Sequence, residues 1–136
     1  MKWTFLAVLA LAGCANNLAN EKAAMDGGLH RLMGQDIHAA IDALGYPTSQ
    51  AEIAGDTVYD WYSLQNGTVY APNNSYQVGA SGALRTTYSG AYVPAQWTCK
   101  VRLAERGGRV IHYEYNGDGR GCALFAGRLS AWMRRG

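Results

Sequence analysis

The chain has 136 residues and carries 12 Lys and Arg against 10 Asp and Glu, a formal net charge of +2. This length suits one domain with one hydrophobic core and leaves no room for a second domain. The near balance of charge by itself predicts no partner, in contrast to the strongly basic composition of many nucleic-acid-binding domains.

Residues 1–13 are predicted to be a signal peptide. Lys2 supplies the positive start, and residues 3–10 supply an apolar stretch far shorter than the roughly 20 residues of a spanning helix. The segment Leu11-Ala12-Gly13-Cys14 resembles the bacterial lipobox, in which a leucine and two small residues precede the cysteine that receives lipid. The resemblance implies cleavage before Cys14 and attachment of diacylglycerol and palmitate there. The alternative is an ordinary signal peptide followed by a chance cysteine.

Lipid on Cys14 would anchor the chain, because two acyl chains already hold a protein stably at a bilayer. In lipoproteins of bacteria with two membranes, an Asp after the lipidated cysteine favours the inner membrane, and Ala15 stands there instead. The expected location is therefore the outer membrane, facing the periplasm, with residues 14–24 as a lipidated tether. Export across a membrane also argues against a nucleic-acid partner.

The other two cysteines predict a disulfide. With Cys14 committed to lipid, Cys99 and Cys122 form an even pair in an exported chain. Closing a loop of this length would stabilise the fold by on the order of 3 kcal/mol in the chain-entropy interpretation. The chain has no Cys-x-x-Cys spacing, so two lone thiols do not predict a metal site.

Charge is distributed unevenly along the chain. Residues 15–84 carry Lys22 and Arg31 against seven acids, whereas residues 85–136 carry nine basic residues against three acids. Such asymmetry indicates either a surface for an anionic partner or two halves that complement each other within one fold.

The first third of the chain predicts helices. Residues 18–25 have helix-forming composition, and Gly27-Gly28 is expected to interrupt that helix. Asp36 is expected to cap a second helix, with Ile37, Ala40, Ile41 and Leu44 on one face and Gly45 and Pro47 at its end.

The middle of the chain predicts a strand and then a long loop. Residues 57–62 are aromatic and β-branched, which favours a strand. Residues 65–95 are rich in Asn, Gly, Ser, Tyr and Pro and predict a long loop, with a short edge strand at 84–88. Loops of this length are usually functional or disordered. Its aromatic residues are therefore the candidate partner surface: Tyr70, Tyr76, Tyr88 and Tyr92.

The last third predicts a hairpin and a helix. Residues 96–103 alternate apolar and polar, residues 105–108 form a turn, and 110–115 return with Ile111, Tyr113 and Tyr115 on one face. A closing helix is expected from Cys122 to Arg134, so the disulfide would join its start to the inner face of the hairpin.

Three segments resemble small bacterial lipoproteins of the SmpA/OmlA (BamE-like) group. They are Leu32-Met33-Gly34-Gln35-Asp36-Ile37, Leu44-Gly45-Tyr46-Pro47 and Tyr59-Asp60-Trp61. The resemblance implies two helices packed on a small antiparallel sheet. Together with the C-terminal helix, the expected fold class is α+β, with a single domain over residues 25–136. Only the fold and the lipid anchor are carried over from the family.

No residue pattern predicts catalysis. His30, His38 and His112 have no metal-ligand spacing, and Asp56 and Asp60 alternate with aromatic residues on a strand. The run Gly117-x-Gly119-x-Gly121 lacks the Lys-Ser/Thr of a phosphate loop, and no serine lies in Gly-x-Ser-x-Gly. We therefore expect no catalytic, cofactor-binding or metal-binding residues.

These expectations define an anchored, non-enzymatic binding or scaffold protein of the cell envelope. Its expected partners are the membrane, through lipid on Cys14, and an envelope protein or peptidoglycan. The main alternative is an inhibitor or superinfection-exclusion lipoprotein that acts on an envelope enzyme or a phage component. A small envelope hydrolase is a third hypothesis, and it requires His38 or His112 beside a carboxylate in a cleft.

Overall fold

A computed structural model of the chain describes residues 17–118 and 120–136, with side chains described from residue 19 onward. The predicted signal peptide over 1–13 and the lipidation residue Cys14 lie outside the described residues. Among the helices of the described part, none combines the length and apolar character needed to cross a membrane.

The described residues form three helices and one antiparallel sheet of four strands in the order β1-β2-β3-β4. In chain order the elements are α1 (Asn17–Leu32), α2 (Ile37–Leu44), β1 (Ser49–Ile53), β2 (Asp56–Val78), β3 (Leu84–Arg106), β4 (Arg109–Gly117) and α3 (Ala123–Arg135). The predicted α+β class is confirmed, with two helices before the sheet and one after it.

Helix α1 begins earlier and runs longer than the sequence predicts. The helix starts at Asn17, within the segment 14–24 that is expected to be the lipidated tether. Gly27-Gly28 does not interrupt α1. Gly28 lies so close to α3 that a Cβ on it would be only 2.7 Å from the Cβ of Leu129. The glycine therefore lets two helix backbones approach closely, which outweighs its low helix propensity.

Helix α2 matches its predicted boundaries. The carboxylate of Asp36 accepts a hydrogen bond from the backbone N–H of His38 at 2.8 Å, which satisfies one of the free donors at the helix start. Gly45 follows the last residue with φ of 88°, in the region that glycine adopts without steric cost.

Strands β3 and β4 form the predicted hairpin, with one difference in register. Gly107 and Gly108 both have positive φ, as a two-residue type I′ turn requires. A β-bulge at Ala104/Glu105 pairs Glu105 with Val110 and leaves Ile111 without a partner. Ile111 is therefore exposed and does not share the face of Tyr113 and Tyr115, whereas Val110 is buried.

The segment expected as a long loop is instead a continuation of the sheet. Strands β2 and β3 have 23 residues each and pair without interruption from Thr57 opposite Glu105 to Val78 opposite Leu84. The loop prediction over 65–95 is thus wrong, and the short strand expected at 84–88 is part of β3. Strand β1 was not predicted, because it is short, all five of its residues are exposed, and only Ala51 and Ile53 are apolar.

Buried side chains of the helices and of β2, β3 and β4 form one hydrophobic cluster. Its largest fully buried member is Trp61, whose indole N–H donates to the carbonyl of Gly45 at 2.8 Å. Cys99 and Cys122 are both buried and form the predicted disulfide between β3 and the start of α3. The cluster lies at the end of the sheet that all four strands share.

Ion pairs between the two halves of the chain account for part of the charge asymmetry. The Arg102 guanidinium donates two hydrogen bonds to Asp60, at 2.7 and 3.0 Å, and Arg106 binds Asp56 in the same bidentate way. A longer contact joins Arg135 to Asp42. In each pair an acid of the first half meets a base of the second, so complementation within one fold explains these charges without an anionic partner.

Candidate interaction surface

The described residues include a two-stranded ribbon that projects from the domain, which we call the arm (residues 64–97). Pairing of β1 with β2 ends at Asp60, and pairing of β4 with β3 ends at Cys99. Beyond these points β2 and β3 pair only with each other. At about 3.3 Å per residue, the ribbon extends roughly 40 Å from the domain. Residues 68–94 are all exposed except Thr86, which is half-buried.

The register of the arm explains how a segment with two prolines and a composition typical of loops still forms two paired strands. Asp60 lies opposite Arg102 and directs its backbone carbonyl away from β3, to the N–H of Thr48. Since backbone direction alternates along a strand, the other even-numbered residues of β2 also point their N–H groups outward. Pro72 is even-numbered, and Pro94 lies opposite the even-numbered Thr68. Neither proline therefore removes a hydrogen bond between the two strands.

All four tyrosines of the candidate surface lie on one face of the arm. Tyr70 is directly opposite Tyr92, and their ring centroids are 5.5 Å apart in an edge-to-face arrangement. Tyr88 lies opposite Asn74, and Tyr76 opposite Thr86, on the same side of the ribbon. Their exposed fractions are 55% for Tyr70, 67% for Tyr76, 77% for Tyr88 and 74% for Tyr92. We call this side the tyrosine face.

Further apolar residues extend the tyrosine face at both ends. Val78 and Leu84 pair at the tip and are 73% and 67% exposed. Tyr62 and Leu64 lie on the same side at the base and are about half exposed. Local composition does not predict these four residues, because it is the pairing register of β2 and β3 that places them on the same face as the tyrosines.

The opposite face of the arm is small and polar toward the tip. Asn73 pairs with Ser89 and Ser75 with Thr87, whereas the partly exposed Val69 lies nearer the base. From residue 61 to residue 99 the only charged side chain is that of Arg85. The arm is therefore a ribbon with one uncharged aromatic face and an opposite face that is polar toward the tip and carries Arg85.

The base of the arm is held by the connection between β4 and α3. The disulfide fixes Cys99, and the hydroxyl of Ser63, which is opposite Cys99, donates to the carbonyl of Gly121 at 3.0 Å. One carboxylate oxygen of Asp118 accepts a hydrogen bond from the backbone N–H of Thr98 at 2.6 Å. These bonds attach the arm rigidly where it leaves the domain.

The histidines of the described part of the chain belong to no cluster of metal-ligating side chains. His38 lies 2.7 Å from the carboxylate of Asp36, but its side chain is 87% exposed at the start of α2 and not in a cleft. Within residues 17–118 and 120–136, no three metal-ligating side chains come together.

The two aspartates of β2 do not act as a pair. Hydrogen bonds from Arg102 hold the pKa of Asp60 below its usual value, and hydrogen bonds from Arg106 do the same for Asp56. Each carboxylate is thus a charged partner of its own guanidinium.

A cleft of about 460 Å³ lies between α1 and β4. In it the hydroxyl of Tyr115 donates to Asp26 at 2.6 Å, and Lys22 contacts the same carboxylate at 2.7 Å. Burial, followed by the bond to Asp26, raises the pKa of Tyr115, so this hydroxyl stays protonated as a donor. The three side chains satisfy one another, which indicates a link between α1 and β4.

The arm with its tyrosine face is therefore the most distinctive surface of the described chain. Comparison of the chain with protein-family models, with curated proteins and with solved structures finds no match in any of the three.

Proposed function

We propose that this chain is a lipid-anchored, non-enzymatic binding or scaffold protein of the cell envelope, and that it contacts its partner through the tyrosine face. Lipid on Cys14 attaches the domain to the membrane, at the outer membrane facing the periplasm. The helices and the sheet take the BamE-like arrangement, with the helices packed on one face of the sheet. The protein needs no cofactor, metal or nucleic acid.

The observation that carries this proposal is the exposure of four tyrosines on one face of the arm. Contiguous apolar surface is kept small on soluble proteins unless it has a binding role. Tyrosine is enriched at protein interfaces, because its ring supplies apolar area while its hydroxyl still forms hydrogen bonds. None of these rings belongs to the hydrophobic core, so packing of the fold does not explain them.

The chemistry of the face indicates the class of partner. Without charged groups, it selects a surface that offers flat apolar patches and hydrogen-bonding groups, such as an envelope protein or the glycan strands of peptidoglycan. An envelope protein fits best, because the Tyr70–Tyr92 pair, Tyr88 and Tyr76 lie at three points along the ribbon and can fill separate pockets.

A second candidate function follows from the shape of the arm. A ribbon two strands wide, with strands about 5 Å apart, is narrow enough to enter a cleft in another protein. This geometry favours the inhibitor or superinfection-exclusion function, in which the arm blocks an envelope enzyme or a phage component. The two candidates differ in outcome, since an inhibitor reduces the activity of the protein that it binds.

Mass spectrometry of the mature protein tests the anchor. We expect a chain that begins at Cys14 and carries the added mass of the acyl chains, with no free thiol at Cys99 or Cys122. The variant Cys14→Ser should lack the added mass and leave the membrane fraction. An unmodified mature chain would contradict the anchor but would leave the arm proposal standing.

Affinity capture from envelope extracts tests the tyrosine face. One variant replaces the four tyrosines by serine: Tyr70, Tyr76, Tyr88 and Tyr92. A matched control changes the polar face of the same ribbon to alanine: Asn73, Ser75, Thr87 and Ser89. We expect the first variant to lose the captured partner and the control to keep it. Equal capture by both variants would remove the tyrosine face from the proposal.

A further inference from the structure

The arm has two free edges, and they differ. Thr98 directs its carbonyl away from β2, to the N–H of Asp118, so the even-numbered residues of β3 also point outward. Beyond Cys99 in β3 and Asp60 in β2, no described strand pairs with these outward groups. Unpaired edges of this kind are sites for strand addition, and proteins commonly block them with proline or charge.

Pro72 blocks the edge of β2 at its middle, so that at most four open outward positions follow one another there, whereas the edge of β3 keeps five in a row, from Leu84 to Tyr92. Pro72 interrupts the outward donors in the middle of β2, because proline has no N–H. On β3 the outward positions from Leu84 to Tyr92 have no proline, and none of them is charged. Pro94 marks the end of this open edge toward the domain.

We infer that two copies of this chain pair through the open edges of β3, antiparallel about a two-fold axis at Tyr88. Tyr88 is the centre of the open edge, so this register makes the paired segment as long as it can be. Leu84 then lies opposite Tyr92 of the second copy, and Thr86 opposite its Gly90. Closed two-fold pairing is the commonest symmetry of protein dimers, and it leaves no further β3 edge open.

The sequence of the open edge is complementary to itself in this register. Arg85, the only charged residue of the arm, lies opposite Ala91 of the second copy, so no like charges meet. Pro94 lies opposite Gly82, which belongs to the turn at the tip, where a missing donor costs no ladder hydrogen bond. The domain-side end of the open edge in one copy therefore lies beside the tip end of the open edge in the other copy.

Pairing at the edge leaves the tyrosine face open. Side chains of a sheet point perpendicular to the direction of its hydrogen bonds, so the two tyrosine faces join into one continuous surface. The inference goes beyond the proposed function and does not depend on the lipid anchor.

Crosslinking of the full chain tests the pairing. A Cys14→Ser background makes an introduced thiol the only free one, and a short bismaleimide then joins residues that face each other across the axis. We expect Tyr88→Cys to give a covalent dimer and Tyr76→Cys, on the blocked β2 strand, to stay monomeric. Absence of the Tyr88→Cys dimer, or equal crosslinking of both variants, would overturn the inference.

Matched proline variants separate edge pairing from other association. Thr86→Pro removes an outward donor of β3, and Asn74→Pro removes one of β2, at positions like those that Pro72 and Pro94 already occupy. The two-fold axis doubles the effect of Thr86→Pro, and each lost bond is worth about fivefold, so association should weaken roughly thirtyfold. Asn74→Pro should leave the dimer intact. Unchanged dimerisation in Thr86→Pro, measured by light scattering, would also overturn the inference.

Discussion

The close contact between α1 and α3 predicts different effects of the same substitution at two adjacent glycines. Gly27 is exposed, and a Cβ there would meet no atom within 4 Å, whereas a Cβ on Gly28 would lie 2.7 Å from the Cβ of Leu129. Both residues lie inside the same helix, so Gly→Ala gives both variants the same gain in helix propensity, about 1 kcal/mol. The difference between Gly27→Ala and Gly28→Ala therefore reports the contact alone.

The size of that difference follows from the distance. Apolar carbon atoms pack at about 3.5–4.0 Å, so the new methyl group is roughly 1 Å too close to Leu129. Because Leu129 is fully buried, its side chain has no free space to move into. Overpacking of this kind costs about 1–3 kcal/mol. We expect Gly27→Ala to be more stable than wild type, and Gly28→Ala to be less stable than Gly27→Ala by that amount.

Thermal unfolding followed by circular dichroism at the helix band measures the effect. For a domain of this size, about 4 °C per kcal/mol separates the midpoints, so they should differ by at least about 4 °C. Adding Leu129→Gly, which removes the Cβ at 2.7 Å, should relieve the overlap, so that the double variant loses less stability than the two single changes together. Equal midpoints for Gly27→Ala and Gly28→Ala would refute the reasoning.

Three further predictions concern the disulfide, the ion pairs and the arm. Replacing Cys99 and Cys122 by alanine should lower the free energy of unfolding by about 3 kcal/mol, measured by urea titration. An unchanged free energy of unfolding would contradict a stabilising role of the disulfide. The pKa of Asp60 is below its usual 3.8 in the folded state, so its contribution to stability is present above that pH and is lost as the pH falls through the folded pKa. Wild type should therefore be more stable than Asp60→Asn at about pH 6, and this difference in stability should close toward about pH 2. The control variant Asp42→Asn, on the exposed face of α2, should change stability little at either pH. Replacing residues 68–94 by Asn-Gly joins β2 and β3 with a two-residue turn. The melting midpoint should move by less than about 4 °C, because the removed residues contribute nothing to the hydrophobic core. Loss of the folded state would show that the arm is needed for the fold.

Local chemistry predicted part of the fold correctly. Asp36 and Gly45 define the ends of α2, because capping and positive φ depend on single residues. The alternation over residues 96–103 predicted the buried face of β3. The disulfide followed from the even pair of cysteines that remains once Cys14 is assigned to lipid, and the structure confirms it.

Predictions that depended on distant partners were wrong. Gly28 was expected to interrupt α1. Instead, the absence of a side chain at Gly28 lets α1 pack closely against Leu129, which is about a hundred residues away in sequence. The side of the sheet on which Ile111 lies depends on a bulge in the pairing with β3. Composition cannot show either feature, because both are properties of two segments in contact.

The candidate surface shows the same division. The sequence by itself identified the aromatic segment and its four tyrosines, since composition and turn residues are local properties. Only the tertiary structure decided that residues 65–95 belong to two paired strands, that all four rings share one face, and that the edge of β3 is open. Each of these depends on the register between strands, where a shift of one residue would move every side chain to the other face.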